Sequence, residues 1–306
     1  MPLKIAFQGT LPSNVYSWVG YDQGIFSRHG LNVTLQSLNG DAAMKSQIAG
    51  EVDAGIHGGP QLPLTAHVGG SPLKIVAALT HVYNGVLVVP ADITSPQQLK
   101  GRKVGAASLT AINALATRRL LQKYGLEEGR DYNLVVTGAV GSDAGQIAEL
   151  VAGHIDGVVV QPEPFARQAT ADGKFRVLLD MADDADLQTA AQTVVFTADY
   201  AKQHPDVVQK TVDSYIETVR YLKEHKAETE QGLRTHFNMD DQAAIDALYD
   251  REAKILAKEP SVGVDQFTDV IASMPKGGPA ISDDQVASLV DNHYVEDAAK
   301  RGLTNY

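Results

Sequence analysis

No cysteine occurs among the 306 residues, which removes disulfides, thiolate metal sites and cysteine nucleophiles at once. Nor does any apolar run reach the roughly 18 residues needed to span a bilayer. Basic residues are in the minority. The 26 Lys and Arg against 37 Asp and Glu give a net charge of −11, and without a Lys/Arg cluster that balance speaks against a nucleic-acid surface. Familiar catalytic signatures are missing as well. None of the 9 histidines forms HExxH, there is no Gly-x-Ser-x-Gly elbow, and neither a Walker nor a Rossmann glycine fingerprint is present. The opening residues Met1-Pro2-Leu3-Lys4-Ile5 enter a strand pattern directly, with no basic-then-apolar leader. That leaves two expectations, a cytoplasmic protein or an exported one whose leader has been removed. What is there is 44% hydrophobic and 21% charged, an ordinary globular composition with length for about two domains.

The chain is organised around a repeated stretch. GDAAMKSQIAGEVDAGIHGGPQ, from Gly40 to Gln61, is echoed by GSDAGQIAELVAGHIDGVVVQPEP, from Gly141 to Pro164. In each copy an acidic residue (Asp41, Asp143) stands where a helix N-cap would. Apolar or small residues follow at helical spacing: Met44 and Ile48 in the first copy, Ala144, Ile147, Ala148 and Val151 in the second. Each helix ends at Ala-Gly, where glycine takes the left-handed conformation, and a strand follows through Val52-Asp53-Ala54 or Ile155-Asp156-Gly157. Asp53 and Asp156 precede the strand interior, which assigns them a turn or packing role. The tips, Gly58-Gly59-Pro60-Gln61 and Gln161-Pro162-Glu163-Pro164, lie at the carboxyl ends of two strands, where open α/β sheets bind ligands. Two such units facing each other make a cleft.

Strands alternate with helices along most of the chain, the mark of βαβ units. Strand patterns cover 3–7, 31–38, 73–79 and 86–89, then 103–107, 133–136, 175–179 and 193–197. One helix carries Val15, Trp18, Val19, Ile25 and Phe26 on its apolar face, and another runs from Ala111 to Tyr124. From His204-Pro205 onward the chain turns helical, with Val208, Val212, Tyr215, Ile216, Val219 and Leu222 on one face. Further helices are expected near 241–258, 264–273 and 283–300. The economical arrangement returns these helices to the first lobe. Lobe 1 is then 1–85 plus 190–306, lobe 2 is 86–189, and two crossing strands form the hinge.

Gly24-Ile25-Phe26-x-x-x-Gly30-Leu31-x-Val33, Ala49-Gly50-Glu51-Val52-Asp53-Ala54, Gly70-Ser71-Pro72-Leu73-Lys74, Leu99-Lys100-Gly101-Arg102-Lys103-Val104-Gly105 and Gly153-x-Ile155-Asp156-Gly157 with Glu163-Pro164 occur in this order. The ordered set, over about residues 3 to 220, resembles the solute-binding proteins of ABC importers, of the nitrate/sulfonate/taurine type grouped with the thiamine-precursor-binding proteins. The resemblance implies an α/β, two-lobed periplasmic-binding-protein fold of the second type. It implies one small ligand between the lobes, an ABC transporter permease as partner, a periplasmic or cell-surface location, and no cofactor, metal or catalytic residue. A monomer that binds no nucleic acid is expected.

Carried over position by position, the resemblance places the ligand among Gln8, Thr10, Tyr16, Gly40, Asp41, His57, Gly59, Gln61, His81, Tyr83, Asn84, Ser108, Thr110, Gly141, Gln161 and Glu163. Several of these open helices, where free N–H groups and hydroxyls suit an oxyanion. Ser108 and Thr110 read equally as helix caps, since a cap and an anion site use the same atoms. His57 and His81 read as ligand donors or as structural histidines; Tyr16 and Tyr83 stack on a ligand or pack in the core; Trp18 fits the core. The loops lack arginine and supply acids, Asp41, Asp143 and Glu163. That favours a monoanion, a zwitterion or a neutral aromatic compound over a multiply charged one. Two alternatives stay open: an enzyme on the same fold, decarboxylase-like or pyrimidine-related, and a cytoplasmic ligand sensor.

Overall fold

The computed structural model describes residues 1–7, 11–38, 40–109, 112–137, 143–184, 187–272 and 281–306. The chain divides into two units: Met1–His81, Thr189–Thr268 and Gly277–Tyr306 form the first, Val82–Gln188 and Asp269–Lys276 the second. The first opens with β1 (Pro2–Phe7), α1 (Val15–Asp22), α2 (Ile25–Arg28), β2 (Asn32–Ser37), α3 (Gly40–Ile48), β3 (Ala54–His57), α4 (Gln61–Val68) and β4 (Leu73–Val82). The second holds β5 (Val86–Pro90), β6 (Lys103–Ala106), α5 (Ile112–Lys123), β7 (Asn133–Val136), α6 (Asp143–Val151), β8 (Gly157–Val160), α7 (Arg167–Thr170) and β9 (Phe175–Asp180). The chain returns with β10 (Gln188–Thr197), α8 (Ala198–Gln203), α9 (Pro205–Glu224), α10 (Lys226–Phe237) and α11 (Gln242–Ile255). Last come α12 (Thr268–Ala272), α13 (Asp283–Leu289) and α14 (His293–Lys300). Asp269 lies 3.0 Å from Arg119 of α5. Among the described residues no helix is long and apolar enough to cross a membrane.

Each unit is built on a five-stranded sheet, in the orders β2-β1-β3-β10-β4 and β7-β6-β8-β5-β9. In the first, β1 pairs in parallel with β2 and β3 while β10 runs antiparallel to β3, with Thr193 opposite His57. In the second, β6 pairs in parallel with β7 and β8, and β5 runs antiparallel to β8 and β9. The run Val86 to Val89 is continuously apolar because its strand is covered on both faces. Val86 and Val88 pack with Val158 and Val160, Leu87 and Val89 with Val159. The α9 face expected from spacing is the buried one, Val208 through Leu222.

Three local readings differ from the structure. The helix expected through Phe26 breaks at Gly24, whose φ of 66° is left-handed, so α1 and α2 are separate. Strands β4 and β10 extend past the expected limits and take in His81 and Gln192. Met44 is buried as its spacing indicates, but at the end of each repeat helix the buried residue is the one before the expected apolar position. Ile48 and Val151 are 43% and 60% exposed, whereas Gln47 and Leu150 are buried.

The aspartates of the repeat do the same job twice. Asp53 donates its N–H to the Lys4 carbonyl and accepts the Lys4 N–H on its carboxylate at 2.7 Å; Asp156 does both with Lys103, at 3.0 Å to the carboxylate. Each thus ties β3 or β8 to the start of its parallel neighbour, and Asp156 also holds Arg102 at 2.8 Å. These contacts are partly in water. Asp53→Ala and Asp156→Ala are therefore each expected to cost about 1 kcal/mol in urea unfolding and to add when combined. No loss from either would reduce them to surface residues.

Candidate functional site

The carboxyl end of β3 carries buried polar groups of the first unit. His57, the last residue of β3, is 2% exposed. Its Nε2 lies 3.2 Å from Oε1 of Gln47, a fully buried residue of α3, and Gln47 Nε2 donates to the Val195 carbonyl of β10 at 2.5 Å. Because that carbonyl demands a donor, the amide orientation is fixed. Gln47 Oε1 can only accept, so His57 Nε2 carries the ring proton and Nδ1 the lone pair. Nδ1 is buried without a partner. Burial pulls the imidazole pKa down to about 4, so it is neutral at physiological pH.

Aligning the copies on Ala-Gly-x-Val/Ile-Asp sets Gln47 against Leu150, Gly55 against Val158 and His57 against Val160. In the second unit those three residues belong to one apolar cluster. The first unit replaces it with an amide, a glycine and an imidazole. Gly55 is part of the exchange: a Cβ there would collide with His57 Nε2 and stand 2.8 Å from Gln47 Oε1. In the second unit the framework is satisfied by Leu, Val and Val, whereas in the first Gln47 also ties α3 to the Val195 carbonyl of β10.

Next to it, Tyr16 is fully buried, with its hydroxyl 2.9 Å from Asn14 Oδ1 and 2.8 Å from Gln192 Oε1. Gln192 sits in β10 with φ 50°, left-handed backbone for a residue with a Cβ, and its N–H reaches the Gly58 carbonyl at 3.4 Å. Gln61 opens α4, whose N-cap Pro60 offers no side-chain bond, and its Oε1 is buried without a partner. His81, near the end of β4, has a pKa lowered by burial against a raising contribution from the Ser261 backbone; its Nε2 is also buried without a partner. Gly59 is buried in the turn between His57 and Gln61, Gly40 opens α3, and Asp41 is exposed in its first turn, not at the N-cap.

In the second unit, Asp143 begins α6 but spends its carboxylate on the Gln161 N–H at 2.8 Å, and burial raises its pKa against that bond. Gln161 Oε1 is buried without a partner. Glu163 is buried, 3.9 Å from Arg167. Tyr83 is buried and packs in the core with Leu87 and Met181, while Asn84 and Ser108 are half-buried. Gln8, Thr10, Thr110 and Gly141 lie outside the described residues. Trp18, read as core, is half-buried and stacks on His236 at 4.0 Å. No group of His, Asp and Glu among the described residues could hold a metal ion.

Sequence reading missed Gln47, Asn14 and Gln192. The signal for Gln47 lies in the repeat, a polar residue where the other copy has leucine. Nothing in the sequence marks Gln192, whose distinction is its backbone.

A model of the NMT1-like family matches residues 2–233. No curated protein sequence matches. Among solved structures, the periplasmic sulfonate-binding protein SsuA from Methylobacillus flagellatus KT superimposes with a TM-score of 0.77 at 19% identity, over 100% of this chain and 96% of that one. The periplasmic nitrate-binding protein NrtA from Synechocystis PCC 6803 does so with 0.77 at 16%, over 98% and 88%. The desulfurization enzyme DSZB matches with 0.70 at 16%, over 98% and 99%. At such identities these likenesses establish the fold, that of periplasmic binding proteins.

Proposed function

This chain belongs to the NMT1-like family, and from that premise we propose that it is an extracytoplasmic solute-binding protein serving an ABC importer. Its ligand is a small organic compound: a monoanion, a zwitterion or a neutral aromatic molecule. The observation that carries the reading is the polar exchange at the carboxyl end of β3, Gln47, Gly55 and His57 in place of an apolar trio. It leaves buried hydrogen-bonding atoms without partners, a standing cost that a ligand removes. The fold is shared with sulfonate- and nitrate-binding proteins. The protein acts as a monomer and does not transform its ligand.

One likeness favours a second reading, an enzyme, since DSZB shares the fold. The two separate cleanly. Calorimetry with sulfonates, carboxylates, nitrate, amino acids and pyrimidines is expected to find one-to-one binding, with the ligand recovered chemically intact after long incubation. Steady conversion with turnover puts the enzyme first.

A further inference from the structure

We propose that the solute is a hydrogen-bond donor, a neutral or zwitterionic nitrogenous compound whose N–H group is accepted by His57 Nδ1. The inference rests on the solute-binding reading and narrows it to a class of solute.

His57 gives its one ring proton, on Nε2, to Gln47 Oε1, whose own orientation is fixed by the Val195 carbonyl. The remaining ring nitrogen, Nδ1, therefore carries a lone pair, buried and without a donor. Burial opposes a second proton on the ring. Gln61 Oε1 and His81 Nε2 are further buried polar atoms without a partner.

An oxyanion brought to such atoms meets lone pairs with lone pairs. No Lys or Arg falls within 11–18, 57–61 or 190–193 to offset that, and the nearest charge in the repeat's first turn is the carboxylate Asp41. An N–H group satisfies the same atoms directly. The second copy fills the positions of Gln47, Gly55 and His57 with Leu150, Val158 and Val160. Gln192, held at φ 50° with its N–H on Gly58, marks the same end of β3 as a place where backbone strain is tolerated.

The test pairs compounds that differ in N–H donors: taurine with ethanesulfonate, benzamide with N,N-dimethylbenzamide, an aminopyrimidine with its dimethylamino counterpart. Binding is followed by calorimetry and by imidazole nitrogen NMR of protein labelled at histidine. The free wild-type protein is expected to show His57 protonated on Nε2 with Nδ1 bare. The donor-bearing member of a pair should shift the Nδ1 signal and bind roughly tenfold or more tightly than its partner, a preference lost in His57→Phe. A proton on Nδ1 in the free protein overturns the proposal whatever the variant does. Equal binding of a methylated member or of ethanesulfonate, with Nδ1 unmoved, overturns it while solute binding stands. Failure of the whole panel to bind removes both.

Discussion

Between pH 6.5 and pH 4 the wild-type protein is expected to lose about 3 kcal/mol of stability that a His57→Gln variant does not lose. The folded imidazole has its pKa lowered from 6.5 to about 4 by burial. The unfolded chain therefore binds a proton on this residue as pH falls through 6.5, while the native state binds it only near 4. In that window the unfolded state gains protons relative to the native one, and stability falls with pH by up to about 1.4 kcal/mol per unit. Above 6.5 both states are neutral and the contribution is flat. His67 and His81 are lowered too, but they are common to both proteins and cancel in the difference. Urea unfolding at half-unit steps measures it. Parallel curves for the two proteins would mean that the native imidazole takes up its proton no later than the unfolded one, against a pKa lowered by burial.

The second large effect separates fold from function. Gly55→Ala is expected to cost about 1–3 kcal/mol, because the added Cβ displaces either the imidazole or the Gln47 amide. Without that obstruction a Gly→Ala change within a strand stabilises, by about 0.4–1 kcal/mol, so the sign of the effect reports the collision. The triple variant Gln47→Leu, Gly55→Val, His57→Val carries the residues of the second copy. It replaces the Gln47–His57 pair with apolar groups at once, a change that is close to neutral when the shape fits, but leaves the Val195 carbonyl without its Gln47 donor, at a cost of about 1–3 kcal/mol. It should therefore still fold, at most about 3 kcal/mol less stable than wild type, while losing its ligand. A larger loss would mean that the polar set is there to hold the fold.

Much of the framework follows from periodicity, because sheets covered on both faces and helices covered on one impose patterns that are hard to mistake. The α9 stripe and the strands β5 and β7 lie where spacing places them. The stripe on α3 and α6 misleads for a physical reason: a buried glutamine counts as polar in any periodicity, so the apolar face is drawn through Ile48, which faces solvent. Only the second copy, with Leu150 in that place, exposes Gln47 as a core position. The site was legible as a set of loops but not as chemistry. His57 is an acceptor because of an amide on α3 and a carbonyl on β10, two elements far apart in sequence. Tyr16 meets Gln192 over a similar gap. Such pairings depend on tertiary contact, and a single sequence carries no trace of them.

The account stands or falls on whether this chain holds a small solute. Thermal denaturation in the presence of sulfonates, aromatic and aliphatic carboxylates, nitrate, amino acids and pyrimidines tests that most directly. A true ligand at 100 times its dissociation constant adds about 2.7 kcal/mol to the native state, enough to raise the midpoint by several degrees. The prediction is one chemical class that raises the wild-type midpoint by that amount and leaves the Gln47→Leu, Gly55→Val, His57→Val variant unmoved. An unchanged wild-type midpoint across every class, or an equal rise in the triple variant, would contradict it.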